Sequence, residues 1–350
     1  MITAIHHPDT TLHVPSAEIW VGVPIPGTEV PARVDRITEA LETADVPMVV
    51  PPIADPTALH TTHDPAMVGF LRTAWDRWRA SSYPSDPGQD RVVPYAFPLG
   101  QMTSGRRPRT PASIGAEAGM WAIDTMTLIG PGSWEAILAA ASCAIAGADL
   151  AAETGGTLYA LARPPGHHAG RDFYGGSCYL NNAALAADRL IRSGAERVAI
   201  VDVDAHHGNG TQELFYRRAD VFYGSVHVDP GQGWFPHFLG YEDELGADRG
   251  EGHNLNICLE PGSNDGPWLE AVQVLCHRAA GCDALVVSLG VDASNDDPES
   301  PLEVTREGYR AAGRMLGALH RPTVAVQEGG YHLETLGSLV VAFLEGLAGS

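Results

Sequence analysis

Aspartate, aspartate and histidine occupy alternate positions in Val198–Thr211, VAIVDVDAHHGNGT, directly after an apolar run of strand character. Side chains alternate between the two faces of a strand, so Asp202 and Asp204 share a side and His206 continues the row. Asp204 and His206 can therefore grip one ion. A second strand-like run, Ala284–Leu289 (ALVVSL), ends in Gly290-Val291-Asp292 and offers a third donor. Two carboxylates and an imidazole with coordination positions to spare describe a catalytic divalent-metal site, because structural zinc is normally closed by four Cys or His ligands. An isolated DxD caps or forms an ion pair as readily as it binds metal, so the neighbouring strand ends carry weight. Thr157–Leu161 (TLYAL) leads into Arg163-Pro164-Pro165-Gly166-His167-His168, a loop that proline and glycine make stiff and tight. Thr323–Gln327 (TVAVQ) leads into Glu328-Gly329-Gly330-Tyr331. Ligands of open α/β sheets bind outside the carboxyl ends of the strands, so these four sets of groups are expected to converge.

The elements that must position them follow from periodicity. Arg33–Ala44, Pro65–Ala80, Ser133–Glu153, Asn182–Ser193, Pro267–Ala280, Thr305–Leu319 and Leu333–Leu347 have helical length and one-sided apolar spacing. They alternate with the strand runs, which predicts an α/β fold with a mainly parallel sheet covered by helices. Residues 1–350 read as a single catalytic domain. Residues 81–111 are the exception, rich in Pro, Gly, Ser and Arg with little periodicity, and loops of that length in compact domains are functional or disordered.

At 350 residues and 44% hydrophobic content the chain can bury a large core. Its net charge is −21 and all 22 of its basic residues are Arg. The absence of Lys excludes Schiff-base and lysine-nucleophile chemistry. An acidic surface repels nucleic acid and gathers cationic substrates, although the same charge also serves solubility. The five Cys are scattered and form no CxxC pair, which suits a reducing compartment. The first residues lack a basic region followed by an apolar run, and no stretch of about 18 uninterrupted apolar residues is present. A cytoplasmic enzyme with no membrane or nucleic-acid partner is the expectation.

Five ordered motifs then amount to a family resemblance: RPPGHHA (Arg163–Ala169), GGSCYLNNAA (Gly175–Ala184), DVDAHHGNGTQ (Asp202–Gln212), SLGVD with a following DP (Ser288–Asp292, Asp297-Pro298) and EGGY (Glu328–Tyr331). Together they resemble the zinc-dependent histone deacetylase superfamily of the arginase-deacetylase fold. Segments His63–Trp78, Gly130–Leu150 and Trp234–Tyr241 extend the likeness to its acetylpolyamine amidohydrolase branch, over nearly the whole chain. The resemblance implies a three-layer α/β/α architecture with the active site at the strand carboxyl ends.

It also implies roles. Asp204, His206 and Asp292 would hold Zn2+, with Fe2+ the other candidate, to polarise an amide carbonyl and acidify a water. His167 and His168 would flank that water, hydrogen-bonded to Asp202 and Asn209 respectively. A carboxylate partner raises an imidazole pKa whereas an amide only orients the ring, and the residues alone leave open which histidine is the base. Tyr331, after two glycines, would aim its hydroxyl at the oxyanion. A structural K+ or Na+ would sit on backbone oxygens near Asp202, Asp204 and His206 together with the Ser225 hydroxyl. His207 and His227 are expected to pack nearby, and His6, His7, His13, His60 and His63 to be surface or packing residues.

Two departures bear on the substrate. Ser177 stands where the family usually has an aromatic tunnel wall, leaving Phe235 without an opposing ring, and Ala205 is smaller than is common between the ligands. Both suggest a wider site. Glu299, seven residues after Asp292, occupies the position of an acidic gatekeeper in a polyamine-selective relative; Glu117 is a weaker acidic candidate. The resulting expectation is a metal-dependent amidohydrolase, acting on a small cationic acylated amine with acetylpolyamines first, and a homodimer whose 81–111 insertion narrows the channel. Deacylation of acyl-lysine or of another N-acylated small molecule is the alternative. A binuclear manganese ureohydrolase of the same fold would need more carboxylates near the metal, and a non-catalytic scaffold would not need the full set of site residues.

Overall fold

A computed structural model describes residues 2–15, 17–81, 91–106 and 108–349. Its strands are β1 (Thr3–Ile5), β2 (Glu18–Trp20), β3 (Val23–Ile25), β4 (Met48–Val49), β5 (Thr157–Ala160), β6 (Val198–Asp202), β7 (Val221–Val228), β8 (Asn254–Leu259), β9 (Ala284–Leu289) and β10 (Thr323–Gln327). Its α-helices are α1 (Ala32–Thr43), α2 (Pro65–Ala80), α3 (Gly100–Thr103), α4 (Ile114–Trp121), α5 (Ser133–Thr154), α6 (Asn182–Arg192), α7 (Asn209–Phe215), α8 (Asp265–Ala279), α9 (Arg306–Gly317) and α10 (Leu336–Leu347).

Eight strands form one parallel sheet in the order β4-β1-β5-β10-β9-β6-β7-β8, and β2 and β3 make a separate antiparallel pair. A parallel sheet is covered on both faces, so its strands read as continuous apolar runs. Alternate side chains divide between two cores. Ala199, Val201, Leu285 and Val287 pack under α1, α8, α9 and α10. Val198, Ile200, Val286 and Val324 pack under α5 and α6. This is the three-layer arrangement expected.

Asn181 caps α6 by accepting from the Ala184 amide, and Thr305 caps α9 through Gly308, which fixes where both helices start. Helix α5 is long and apolar enough to pass as a membrane span by length and composition, yet most of it is buried against the sheet, as a core helix is. The expected helices fall within a few residues of those observed. The periodic reading did not anticipate β1, β2, β3, β4, β7, β8, α3, α4 or α7. Each is short or carries polar residues on a buried face, and α7 begins inside the metal-ligand motif. Of the unpatterned stretch 81–111, residues 82–90 and 107 lie outside the described residues. The remainder includes α3 and a bridge between Val92 and Ile129.

Candidate active site

Strands β5, β10, β9 and β6 are consecutive neighbours in the sheet, so the loops that follow them open on one edge. The loop after β6 carries Asp204 and His206, and the loop after β9 carries Asp292. His206 Nδ1 lies 3.1 Å from Asp292 Oδ2 and 3.3 Å from Asp204 Oδ1. One donor atom from each residue falls within 4.8 Å of the other two. Backbone amides aim the carboxylates: Gly329 N–H donates to Asp204 Oδ2 at 2.8 Å, and Ala205 N–H to Asp292 Oδ1 at 2.9 Å. Both carboxylates are fully buried. Burial and the charge of Asp204 push the Asp292 carboxyl up to about 7. Two buried carboxylates pressed around one imidazole nitrogen form a donor set that fits a divalent cation of borderline hardness.

The histidine pair stands beside this cluster. His167 Nδ1 is 3.1 Å from Asp202 Oδ2, His168 Nδ1 is 2.8 Å from Asn209 Oδ1, and the two rings are 4.0 Å apart. Burial alone would lower the pKa of His167, but the charges of Asp204 and Asp202 carry it up to about 10. His168 is held well below 6.5 by burial and by the positive charges of His167 and His206. Two adjacent imidazoles are thus driven in opposite directions, one toward the cation and one toward the neutral base. The loop that presents them is pinned by Glu328, whose carboxylate accepts from Gly166 N–H at 2.6 Å and His167 N–H at 3.1 Å.

Tyr331 follows β10 through Gly329 and Gly330. Its backbone amide donates to Asp297 Oδ2 at 2.6 Å, and the Arg33 guanidinium lies 4.8 Å from the centre of its ring. Arg33 is itself buried, donating to Gly330 O at 2.7 Å and to Glu29 at 2.8 Å, while Arg163 donates to the same Glu29 oxygen at 2.9 Å. The Arg–Glu–Arg cluster therefore ties α1 to the loops carrying Tyr331 and the histidines.

These groups face a cavity of about 480 Å3 lined by His168, His206, Tyr331, Ser177, Phe235 and Glu299, among others. A larger hollow of about 670 Å3 between α1 and α10 holds no comparable cluster. Phe235 stands edge-on to His168 at 4.7 Å, and Ser177, which also lines the cavity, adopts φ +62°. Ser225 sits beside Asp202 in the β6–β7 register, with its hydroxyl 2.7 Å from His227 Nδ1. His207 and His227 are buried with ring centroids 4.8 Å apart. His13 and His63 are packing residues, whereas His60 is exposed. Glu117 is not brought to this cavity. It is buried on α4, where its carboxylate is ion-paired with Arg77.

Sequence alone did not disclose several participants. Glu18, on β2, lines the cavity with Trp20, and nothing in its flanking pattern marks it. Arg33 did leave a trace, because it shares the buried side of α1 with Val34, Ile37 and Leu41, where a charge needs a partner. Glu328 was visible as part of a motif without a stated task.

Residues 27–347 match the histone deacetylase domain family. An acetylpolyamine amidohydrolase of Mycoplana ramosa is 42% identical over 346 residues, covering 97% of this chain and 98% of that protein. Acetylpolyamine amidohydrolase 1 of Pseudomonas aeruginosa is 39% identical over 356 residues, covering 99% of each. The crystal structure of an acetylpolyamine aminohydrolase from Burkholderia pseudomallei superimposes with a TM-score of 0.92 at 38% identity, again over 99% of both chains.

Proposed function

The chain belongs to the histone deacetylase family and is an amidohydrolase, and on that premise we propose that it removes the acetyl group from acetylated polyamines. The observation that carries the proposal is the meeting, at one cavity, of the Asp204–His206–Asp292 cluster, the His167–His168 pair and Tyr331, with Glu299 among the residues that line it. Asp204, His206 and Asp292 would hold zinc, or iron(II), in the open coordination that catalytic sites keep. When bound, such an ion supplies Lewis acidity to the amide oxygen and to a water molecule.

The chain's own groups do the rest. His168, held neutral and oriented by Asn209, takes the proton of the attacking water. His167, kept cationic by Asp202, offers a proton toward the departing amine. Tyr331 donates its hydroxyl proton in a hydrogen bond to the developing oxyanion. Glu299 holds a protonated nitrogen of the substrate away from the scissile bond. A potassium or sodium ion is proposed on backbone oxygens of Asp202, Asp204 and His206 and on the Ser225 hydroxyl, supported by the adjacency of Asp202 and Ser225 across β6 and β7.

We further propose a homodimer and a cytoplasmic setting. Phe238 (85% exposed) and Val21 (85% exposed) line a second, largely apolar cavity of about 580 Å3 that shares Trp20, Phe235 and His237 with the active-site cavity, a surface that self-association would cover. All five thiols are unpaired.

The test is kcat/KM of the zinc-loaded protein on N-acetylputrescine, N8-acetylspermidine and an acetyl-lysine peptide. The polyamines are expected to lead, Glu299→Leu to remove their advantage, and Tyr331→Phe to lower kcat by about 100 to 1,000-fold on every substrate. Faster turnover of the peptide, or of a bulkier acyl amide, would overturn the polyamine assignment and favour a deacylase for acyl-lysine or another N-acylated small molecule. The replacement of an aromatic wall by Ser177 is the observation that would then explain it.

A further inference from the structure

Asp297 belongs neither to the Asp204–His206–Asp292 cluster nor to the lining of the active-site cavity, yet the backbones of two lining residues, Glu299 and Tyr331, are bonded to its buried carboxylate. Oδ2 accepts Tyr331 N–H at 2.6 Å and His332 N–H at 3.1 Å, and Oδ1 accepts Glu299 N–H at 3.0 Å. Its own amide donates to Ser294 O at 3.0 Å, which holds the acid in its turn. One side chain thus joins the loop after β9 to the loop after β10. Burying a charge is costly unless it is well hydrogen-bonded, and here successive N–H groups converge on a carboxylate oxygen as they do on a bound anion. Bonds to an ionised acceptor are shorter and roughly twice as strong as neutral ones, which suits a contact that has to fix a position.

Tyr331 has need of such a contact. It leaves β10 through Gly329 and Gly330, and glycine gives a chain more backbone freedom than any other residue. Gly330 has φ +120°, and the next helix, α10, does not begin until Leu336. Neither flanking element therefore dictates where the phenol points. Arg33 donates to Gly330 O at 2.7 Å and lies 4.8 Å from the ring centre, and Asp297 holds the two amides that follow Gly330. We propose that Asp297 is a positioning residue for amide hydrolysis, fixing through the backbone the direction in which Tyr331 presents its hydroxyl to the oxyanion. This rests on Tyr331 being the oxyanion donor and extends that role to a residue that does not touch substrate. A misplacement of about 1 Å in the site costs up to roughly 100-fold in rate, so the effect belongs in kcat.

kcat and KM are measured separately for the zinc-loaded wild type, Asp297→Ala, Asp297→Asn, Tyr331→Phe and the two Asp297 variants combined with Tyr331→Phe, on N-acetylputrescine and on neutral N-butylacetamide. Asp297→Ala should lower kcat by roughly 10 to 100-fold on both substrates with KM within about twofold of wild type, and Asp297→Asn, which keeps one accepting oxygen, should lose less. In the Tyr331→Phe background, where no hydroxyl is left to aim, the same changes should cost no more than about twofold, because residues that act as a unit are not additive. Hydrogen exchange supplies a readout apart from turnover: the Tyr331 and His332 amides should exchange faster in Asp297→Ala while those of Thr323–Gln327 keep wild-type rates. An equal fall in kcat with and without the Tyr331 hydroxyl would mean that Asp297 merely holds the fold, and would overturn the proposal. Loss of bound zinc alongside activity would place the effect at the metal cluster and overturn it too, as would an unchanged kcat in Asp297→Ala. If Asp297→Ala does not fold, Asp297→Asn carries the same comparison. An unchanged kcat in Tyr331→Phe alone would instead overturn the oxyanion role of Tyr331 itself.

Discussion

At the scale of single residues, histidines in this protein are sorted by what their nitrogens must do. His63 shows the logic away from the active site. Its Nδ1 donates to Gly170 O at 2.9 Å while its Nε2 accepts from Asn181 N–H at 2.9 Å, so the ring can keep both bonds only when neutral. Burial lowers its pKa from 6.5 to about 4. The unfolded chain therefore binds a proton that the folded chain refuses between those values. The stabilisation is fully present above about pH 6.5 and is lost as pH falls toward 4. Other groups titrate in the same window, Glu18 and Glu328 in the opposite sense, so the contribution is read as a difference. The stability gap between wild type and His63→Gln in urea melts should shrink by about 1.4 kcal/mol per pH unit below 6.5 and stay flat above 7.5. A gap that does not change with pH would mean that His63 titrates normally. The sequence placed His63 only among surface or packing residues, because a histidine's tautomer and depth depend on two loops more than a hundred residues away. His167 and His168 were legible for the opposite reason: rigid neighbours and a metal-ligand motif define their surroundings locally.

At the scale of elements, the site is a product of four adjacent strands and the turns that leave them. The strand runs were legible because a parallel sheet buried on both faces demands unbroken apolar stretches, as in VAIVD and ALVVSL. β8 was not, since NLNICL carries two asparagines that bond Gln212 and the loop around Glu244 rather than solvent. The β2–β3 pair was not either, and Glu18 went unnoticed with it; isolated three-residue strands have too little pattern to register. Glycine marks the closest approach of these turns. A Cβ on Gly329 would lie 2.3 Å from Asp292 Oδ2 and 2.6 Å from Asp204 Oδ2, and those carboxylates are buried and cannot retreat. The backbone there is not in the left-handed region, so the objection to a larger residue is space alone. Gly329→Ala should therefore leave the circular dichroism spectrum unchanged and lower bound zinc well below one ion per chain by elemental analysis. Full zinc occupancy in that variant would show that the two carboxylates are not the ligands.

At the scale of the whole molecule, the charge of −21 has a kinetic consequence distinct from that of the two carboxylates in the cavity. A surface field acts on approach over the screening length, about 30 Å at 0.01 M salt and about 3 Å at 1 M. Carboxylates lining the cavity, Glu18 and Glu299, act at contact, where partial burial shelters them from salt. Both favour cationic amides, but they separate by ionic strength. If surface charge gathers the substrate, kcat/KM on N8-acetylspermidine should fall several-fold between about 0.01 and 0.5 M NaCl, with kcat nearly constant, while N-butylacetamide stays flat. The same slope should persist in the Glu18→Gln, Glu299→Gln double variant, displaced downward, because removing two of 43 acidic residues barely alters the long-range field. A slope that disappears in the double variant would assign the attraction to the cavity alone. A slope absent from wild type would mean that substrate capture owes nothing to net charge, leaving the acidic surface with solubility as its task.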